Sequence, residues 1–184
     1  MARVHSIKKS GKHLDIDYVC YKKANLDHSI NLFYSAKNPN YNADFVGMNP
    51  DEINNTKEDM LRENDITHSL LILTTIEALI RLDADKKYCD KKKNGFSRQI
   101  KEIYDKTKGE RIRLEEDLIN TRMNEDSVSL RRSYNELKKC FKYRHWLAHG
   151  RYWDPKRITE VDFDSIKILI SSILIATTIA FEID

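Results

Sequence analysis

Glycine, proline and cysteine are scarce in this 184-residue chain, at five, three and three. So few turn-forming residues exclude collagen-like, low-complexity and turn-dense all-β designs, and leave a helix-rich fold as the expectation. Cys20, Cys89 and Cys140 are odd in number, far apart and without CxxC spacing. That pattern argues against a disulfide framework or a zinc knuckle and fits a reducing cytoplasm. Excess charge is missing too: 32 Lys and Arg face 29 Asp and Glu, a formal +3, so any nucleic-acid-binding surface has to be local. No apolar run is long enough to span a bilayer. The uninterrupted stretch from Ile168 to Phe181 falls short of the ~20 residues required and reads as a core or interface helix. The N-terminal MARVHSIKKSGKHLDID is charged and has no apolar region of secretory type, so a cytoplasmic protein is expected.

Hydrophobic residues make up 40% and charged residues 33%, enough of each for one core and one solvated surface in a single domain of residues 1–184. Residues 1–25 read as an N-terminal extension. A helix is expected from Leu26 to Ala36, and residues 37–55, with two Asn-Pro steps, as a long loop. Asn54, Asn55 and Thr56 offer capping oxygens for a long helix that turns apolar nearly all round between Ser69 and Ile80, and so belongs at the centre. His68 within it reads as a satisfied core histidine. DKKYCDKKKNG, ending at Gly95, reads as a basic turn, and the five lysines within residues 86–93 as a candidate steering patch for RNA. Helical spacing returns in FSRQIKEIYDKT, in RIRLEEDLINTRM and in SVSLRRSYNELKKCFKYRHWLAH, after which Gly150 takes the left-handed C′ position. Pro155 breaks the next connection, and Asp162 or Asp164 caps a final apolar helix to Phe181. Two long helices, a last apolar one and two shorter ones imply an all-α, antiparallel up-and-down bundle of about five helices.

The chemistry concentrates in FKYRHWLAHGRYW, residues 141–153. His145 and His149 are four apart and share a stripe, with Arg144 beside it. Cleaving RNA by its own 2′-hydroxyl needs a proton acceptor, a proton donor for the leaving 5′-oxygen, and fixed positive charge at the phosphorane. Histidine and arginine supply these. Paired zinc ligands also use i, i+4 histidines, yet the intervening Trp-Leu-Ala holds no glutamate and no third ligand is evident. Glu77, the sole formal charge between Ser69 and Ile80, needs a partner: Arg81 one turn on, or Arg144 or His149 across the bundle. Trp146, Leu147, Phe141 and Tyr134 read as packing. Tyr152 and Trp153, interleaved with Arg151, Lys156 and Arg157, suit single-stranded RNA.

RHWLAHG resembles the Rx4H motif of the HEPN superfamily, with Arg144 first, polar His145 next and His149 last, near the end of a long helix. With the apolar helices before and after it, the likeness extends over residues 26–182. The resemblance implies a HEPN-like bundle that forms a homodimer in which two Rx4H segments face each other. It further implies a cofactor-free, metal-independent endoribonuclease leaving 2′,3′-cyclic phosphate, of the kind found among toxins of toxin-antitoxin pairs and antiviral defence effectors, with a possible antitoxin or regulatory partner. His149 is then the principal proton-transfer group, Arg144 the phosphate clamp, His145 an auxiliary and Glu77 an orienting carboxylate. The alternatives are a non-catalytic helical RNA- or nucleotide-binding module and an interaction scaffold.

Overall fold

Asn49 and Glu52 start the longest element. The side chain of Asn49 accepts the Glu52 N–H at 2.9 Å, and the Glu52 carboxylate accepts the Asn49 N–H at 2.8 Å, a reciprocal capping box with Pro50 pre-set at the first helical position. The computed structural model describes residues 12–89, 95–107, 112–125, 128–151 and 160–177. Among these residues regular structure is helical throughout. The elements are α1 (Ile16–Phe33), α2 (Tyr41–Asp44), α3 (Pro50–Cys89), α4 (Gly95–Thr107), a π-helical turn (Leu114–Ile119), α5 (Asn120–Glu125), α6 (Val128–Ala148) and α7 (Phe163–Ala176).

Several boundaries differ from the expectation, each for a physical reason. Helix α3 begins at Pro50 rather than near Asn54–Thr56, because a proline that cannot continue a helix is well suited to open one. It also runs on through Lys86–Cys89, which read as a turn, since Lys87 reaches back to Asp83 at 3.2 Å. Gly95, expected to end that turn, is the first residue of α4. Helix α1 starts at Ile16, ten residues before Leu26 and inside the expected N-terminal extension. Its only buried residues are Val19 and Ile30, too few to mark an apolar stripe, while Tyr18 and Tyr21 are exposed. The expected loop of residues 37–55 contains α2, and Phe45 is buried there against the rings of Phe33, Tyr34 and Tyr41. Helix α7 ends at Ala176, short of Phe181: Thr177 leaves the helix with extended backbone, and its N–H and hydroxyl both bond the Ile173 carbonyl. Residues 178–181 lie outside the described ones.

The middle of α3 is the axis of the fold, as its apolar stretch predicts. Ile72, Leu73, Ile76 and Ile80 are fully buried, and α1, α4, α6 and α7 all pack on this helix. His68 sits in the core with Nδ1 3.0 Å from the Asn64 carbonyl. Helix α6 passes α3 antiparallel, because Arg151 meets Glu63 while Arg144 meets Glu77. Phe163 at the start of α7 donates its N–H to Asp65, so α7 returns beside α3 from the end where α6 stops. Asp162 caps it, accepting the Ser165 N–H at 2.9 Å. On the far side, Asp83 pairs with Arg122 and Lys87, tying α5 to α3. Among the described residues no helix is long and apolar enough to cross a membrane.

Candidate active site

The last two turns of α6 are fixed in rotation by a small second core. Tyr143, Trp146 and Leu147 are buried against Ile66 and Leu70 of α3 and against Val161. Their i, i+3, i+4 spacing turns Lys142, His145 and His149 outward and leaves Arg144 at the edge, partly exposed. The packing role expected of Trp146, Leu147, Phe141 and Tyr134 is the one observed, since all four are buried.

The helix then stops sharply. The Gly150 N–H bonds the Leu147 carbonyl and the Arg151 N–H bonds the Trp146 carbonyl, the paired pattern of a Schellman motif with Gly150 at C′ and φ +77. His149 is therefore the C-cap residue. Its ring lies 4.3 Å, centroid to centroid, from that of His145 one turn earlier.

Arg144 and Glu77 face each other across the α3–α6 seam. Nη2 of Arg144 stands 3.1 Å from Oε2 of Glu77, close enough for an ion pair, although its angle misses a hydrogen bond. Glu77 Oε2 and Arg144 Nε are both buried with no hydrogen-bond partner among the described residues. The other carboxylate oxygen, Oε1, accepts from Arg81 Nε at 3.0 Å. Arg81 in turn donates to the Ile112 carbonyl at 3.1 Å. Of the partners weighed for Glu77, Arg81 and Arg144 both meet it: the carboxylate is shared by two guanidiniums, which offsets the cost of placing it among apolar neighbours.

These groups border a cleft of about 560 Å³, within the usual size range of ligand sites. One wall is α3 and α6, through Glu77, Phe141, Lys142, Arg144 and His145. The other is the π-helical turn, through Leu114, Glu115 and Glu116. That turn is opened by Arg113, whose carbonyl accepts from both Asp117 and Leu118, while its own N–H bonds the Asp117 carboxylate at 2.8 Å. The wider turn is a backbone feature enriched at functional sites.

No family model matches the chain, and no curated protein or solved structure does.

Of the residues singled out in the sequence, Arg144, His145 and Glu77 line the cleft, and His149 adjoins it through the His145 ring. Arg151 does not join them. It is gripped in a forked pair by Glu63, at 2.9 and 3.0 Å, and this hydrogen bonding holds the Glu63 carboxyl below its ordinary value. Tyr152, Trp153, Lys156 and Arg157 lie outside the described residues, as does most of the lysine run at residues 86–93. Lys142, Glu115 and Glu116 went unforeseen. Lys142 had a signal, its i, i+3 relation to His145. The two glutamates had none, because only the tertiary path of the π-helical turn brings them to the cleft. Among the described residues no three His, Cys, Asp or Glu side chains gather as a metal site.

Proposed function

We propose that this chain is a metal-independent endoribonuclease of HEPN type. The observation that carries the reading is the cleft itself: a guanidinium in its wall, beside an imidazole whose ring lies 4.3 Å from a second one. Arg144 clamps the non-bridging oxygens of the scissile phosphate and answers the charge that builds on the phosphorane. The 2′-oxygen bonds to phosphorus as the bond to the 5′-oxygen breaks. One imidazole of the His145–His149 pair takes the 2′ proton, and another returns one to the leaving 5′-oxygen. His149 is the principal proton carrier, and His145, which lines the cleft, orients the strand or relays the proton. Glu77 holds the Arg144 fork in place.

The exposed end of α6, at His145, Ala148 and His149, leaves the motif open to a second copy. A homodimer joined there would bring two arginines and four histidines to one composite site, enough for separate acid and base. A toxin or antiviral effector restrained by a partner is the physiological role that fits such an activity.

Incubating the purified protein with RNA, with and without excess chelator, tests the reading. Fragments ending in 2′,3′-cyclic phosphate in both arms are expected, and sedimentation should report a dimer. Cleavage abolished by chelator would overturn metal independence. A second reading, a non-catalytic RNA- or nucleotide-binding module, is favoured by Glu115 and Glu116 in the cleft wall, because carboxylates accept from base amino groups. Binding without any fragments would select it.

A further inference from the structure

The outward face of α6 is dominated by one sign of charge. The helix holds six Lys and Arg against the single acid Glu136. Leu130, Tyr134, Leu137 and Phe141 hold its inner face in the core. At ~100° per residue, Arg131, Arg132, Lys139 and Lys142 fall within an arc of about 100° on the outer side, and all four are exposed. Lys139 pairs with Glu136 at 2.8 Å. Arg131, Arg132 and Lys142 have no acidic partner among the described residues. Lys142 both ends this row and lines the cleft.

A solvated helix usually mixes signs along its face, so that neighbours pair. Here only Lys139 finds such a neighbour, and most of the contrary charge lies elsewhere: the first sixteen residues of α3 hold six acids, among them the exposed Asp51, Glu52, Glu58, Asp59 and Glu63, against Lys57 and Arg62. The charge is segregated between two helices although the whole chain is nearly balanced.

We infer that the outer face of α6 is a track for the sugar-phosphate backbone of single-stranded RNA, running from Arg131 and Arg132 to Lys142 and delivering the strand to the cleft. The inference rests on the reading of that cleft as the place where RNA is cut. It assigns the main phosphate contacts to α6 rather than to Arg151, which Glu63 already occupies. From Arg131 to His145 the track is about 21 Å long, which is about six stacked nucleotides at roughly 3.4 Å each.

The test uses a twelve-nucleotide RNA methylated at every 2′-oxygen, which removes the nucleophile so that binding is measured without cleavage. In the double variant Arg131→Gln/Arg132→Gln, the plot of log affinity against log salt should flatten by about 1.4, at roughly 0.7 per lost phosphate contact. Weakening should be uniform across sequences. The variant Arg98→Gln/Lys101→Gln removes the same charge from exposed positions of α4 and should keep the wild-type slope. Equal losses in the two variants, or no change in the first, would overturn the track. If the α6 variant fails to fold by circular dichroism, a length series on the wild type decides. Affinity should climb up to six or more nucleotides and then level, whereas a flat series from four nucleotides upward refutes the inference. Competition by polyglutamate of matched charge as effective as that by RNA would reassign the surface to an acidic protein and overturn it. Unmodified RNA separates the two claims. The predicted slopes without cleavage leave the track standing and remove the nuclease, and cleavage with an unaltered slope does the reverse.

Discussion

The two walls of the cleft are built differently. The α6 wall is regular helix, locked in rotation by Tyr143, Trp146 and Leu147, and it presents Lys142, Arg144 and His145. The facing wall is a π-helical turn opened by Arg113 and Asp117, and it presents Glu115 and Glu116. One wall attracts a phosphate and the other repels it. On the proposed reading, an RNA strand entering the cleft would be oriented by charge, with its backbone along α6 and its base edges toward the carboxylates, which can accept from amino groups but not from carbonyls. A cleft with two basic walls would hold phosphate more tightly but in no particular orientation.

The strongest way to break this contrast is to empty the basic wall. Arg144→Ala should lower the rate of RNA cleavage about 10²–10³-fold, the usual cost of losing one donor to a developing oxyanion. His149→Ala should lower it by about 10²–10⁴-fold, as expected for a lost proton carrier. Cleavage by either folded variant at the wild-type rate would remove that residue from the mechanism. Glu77→Gln probes the same wall from behind. With the carboxylate neutralised, Arg81 and Arg144 lose their shared partner in a mostly buried seam. Stability should fall by about 2 kcal/mol, below the ~3–5 of a fully buried pair because Glu77 retains some exposure. Thermal melts would measure this loss, and the cleavage rate should fall as well, because Arg144 is no longer aimed. A rate that stayed unchanged would confine Glu77 to a structural role.

The acidic wall should respond in the opposite direction. Glu115→Gln/Glu116→Gln removes two repulsive charges at up to about 1 kcal/mol each, so RNA should bind about tenfold more tightly. Discrimination between bases rich and poor in amino groups should shrink. Affinity left unchanged in this variant would show that the carboxylates do not face the strand.

The two walls were also unequally legible in the sequence. The α6 wall could be read from local rules: apolar residues at helical spacing, Gly150 after the last turn, and Arg144, His145 and His149 within six positions. Asp162 as the cap of α7 and His68 as a core residue follow from rules of the same kind. The π-helical wall could not be read that way, since a 3.6-residue period is blind to a turn closed by an i→i+5 bond such as Leu118 to Arg113. Nor does any local pattern announce that Glu77 meets Arg144, 67 positions on, as well as Arg81. Pro50 misled for a related reason: proline both breaks and opens helices, and only the Asn49–Glu52 capping box decides which.

The end of the basic wall offers a finer test. Gly150 has φ +77, and a Cβ placed on it would meet nothing within 4 Å. Gly150→Ala is thus free of clash, and its cost of about 1 kcal/mol comes from the left-handed backbone alone. For a chain of this length that is a melting temperature lower by roughly 2–4 °C. Gly150→Asn should lose less, since asparagine tolerates this region. If alanine and asparagine cost the same, the strain argument for the helix end is wrong.

The smallest effect belongs to the pin just beyond it. Glu63 grips Arg151 with both oxygens, yet both groups are well exposed, so Glu63→Gln should cost under about 1 kcal/mol at neutral pH. Its pH dependence is more telling than its size. The Arg151 hydrogen bond depresses the Glu63 carboxyl below its ordinary 4.5, so the folded chain binds a proton there less readily than the unfolded one. The contribution is fully present above the ordinary value and is lost as pH falls through the depressed one. Melting curves of wild type and Glu63→Gln should therefore differ at pH above about 5 and converge on acidification. A gap that widened toward low pH would mean that Arg151 is not held by Glu63, and would return its guanidinium to the set available for phosphate.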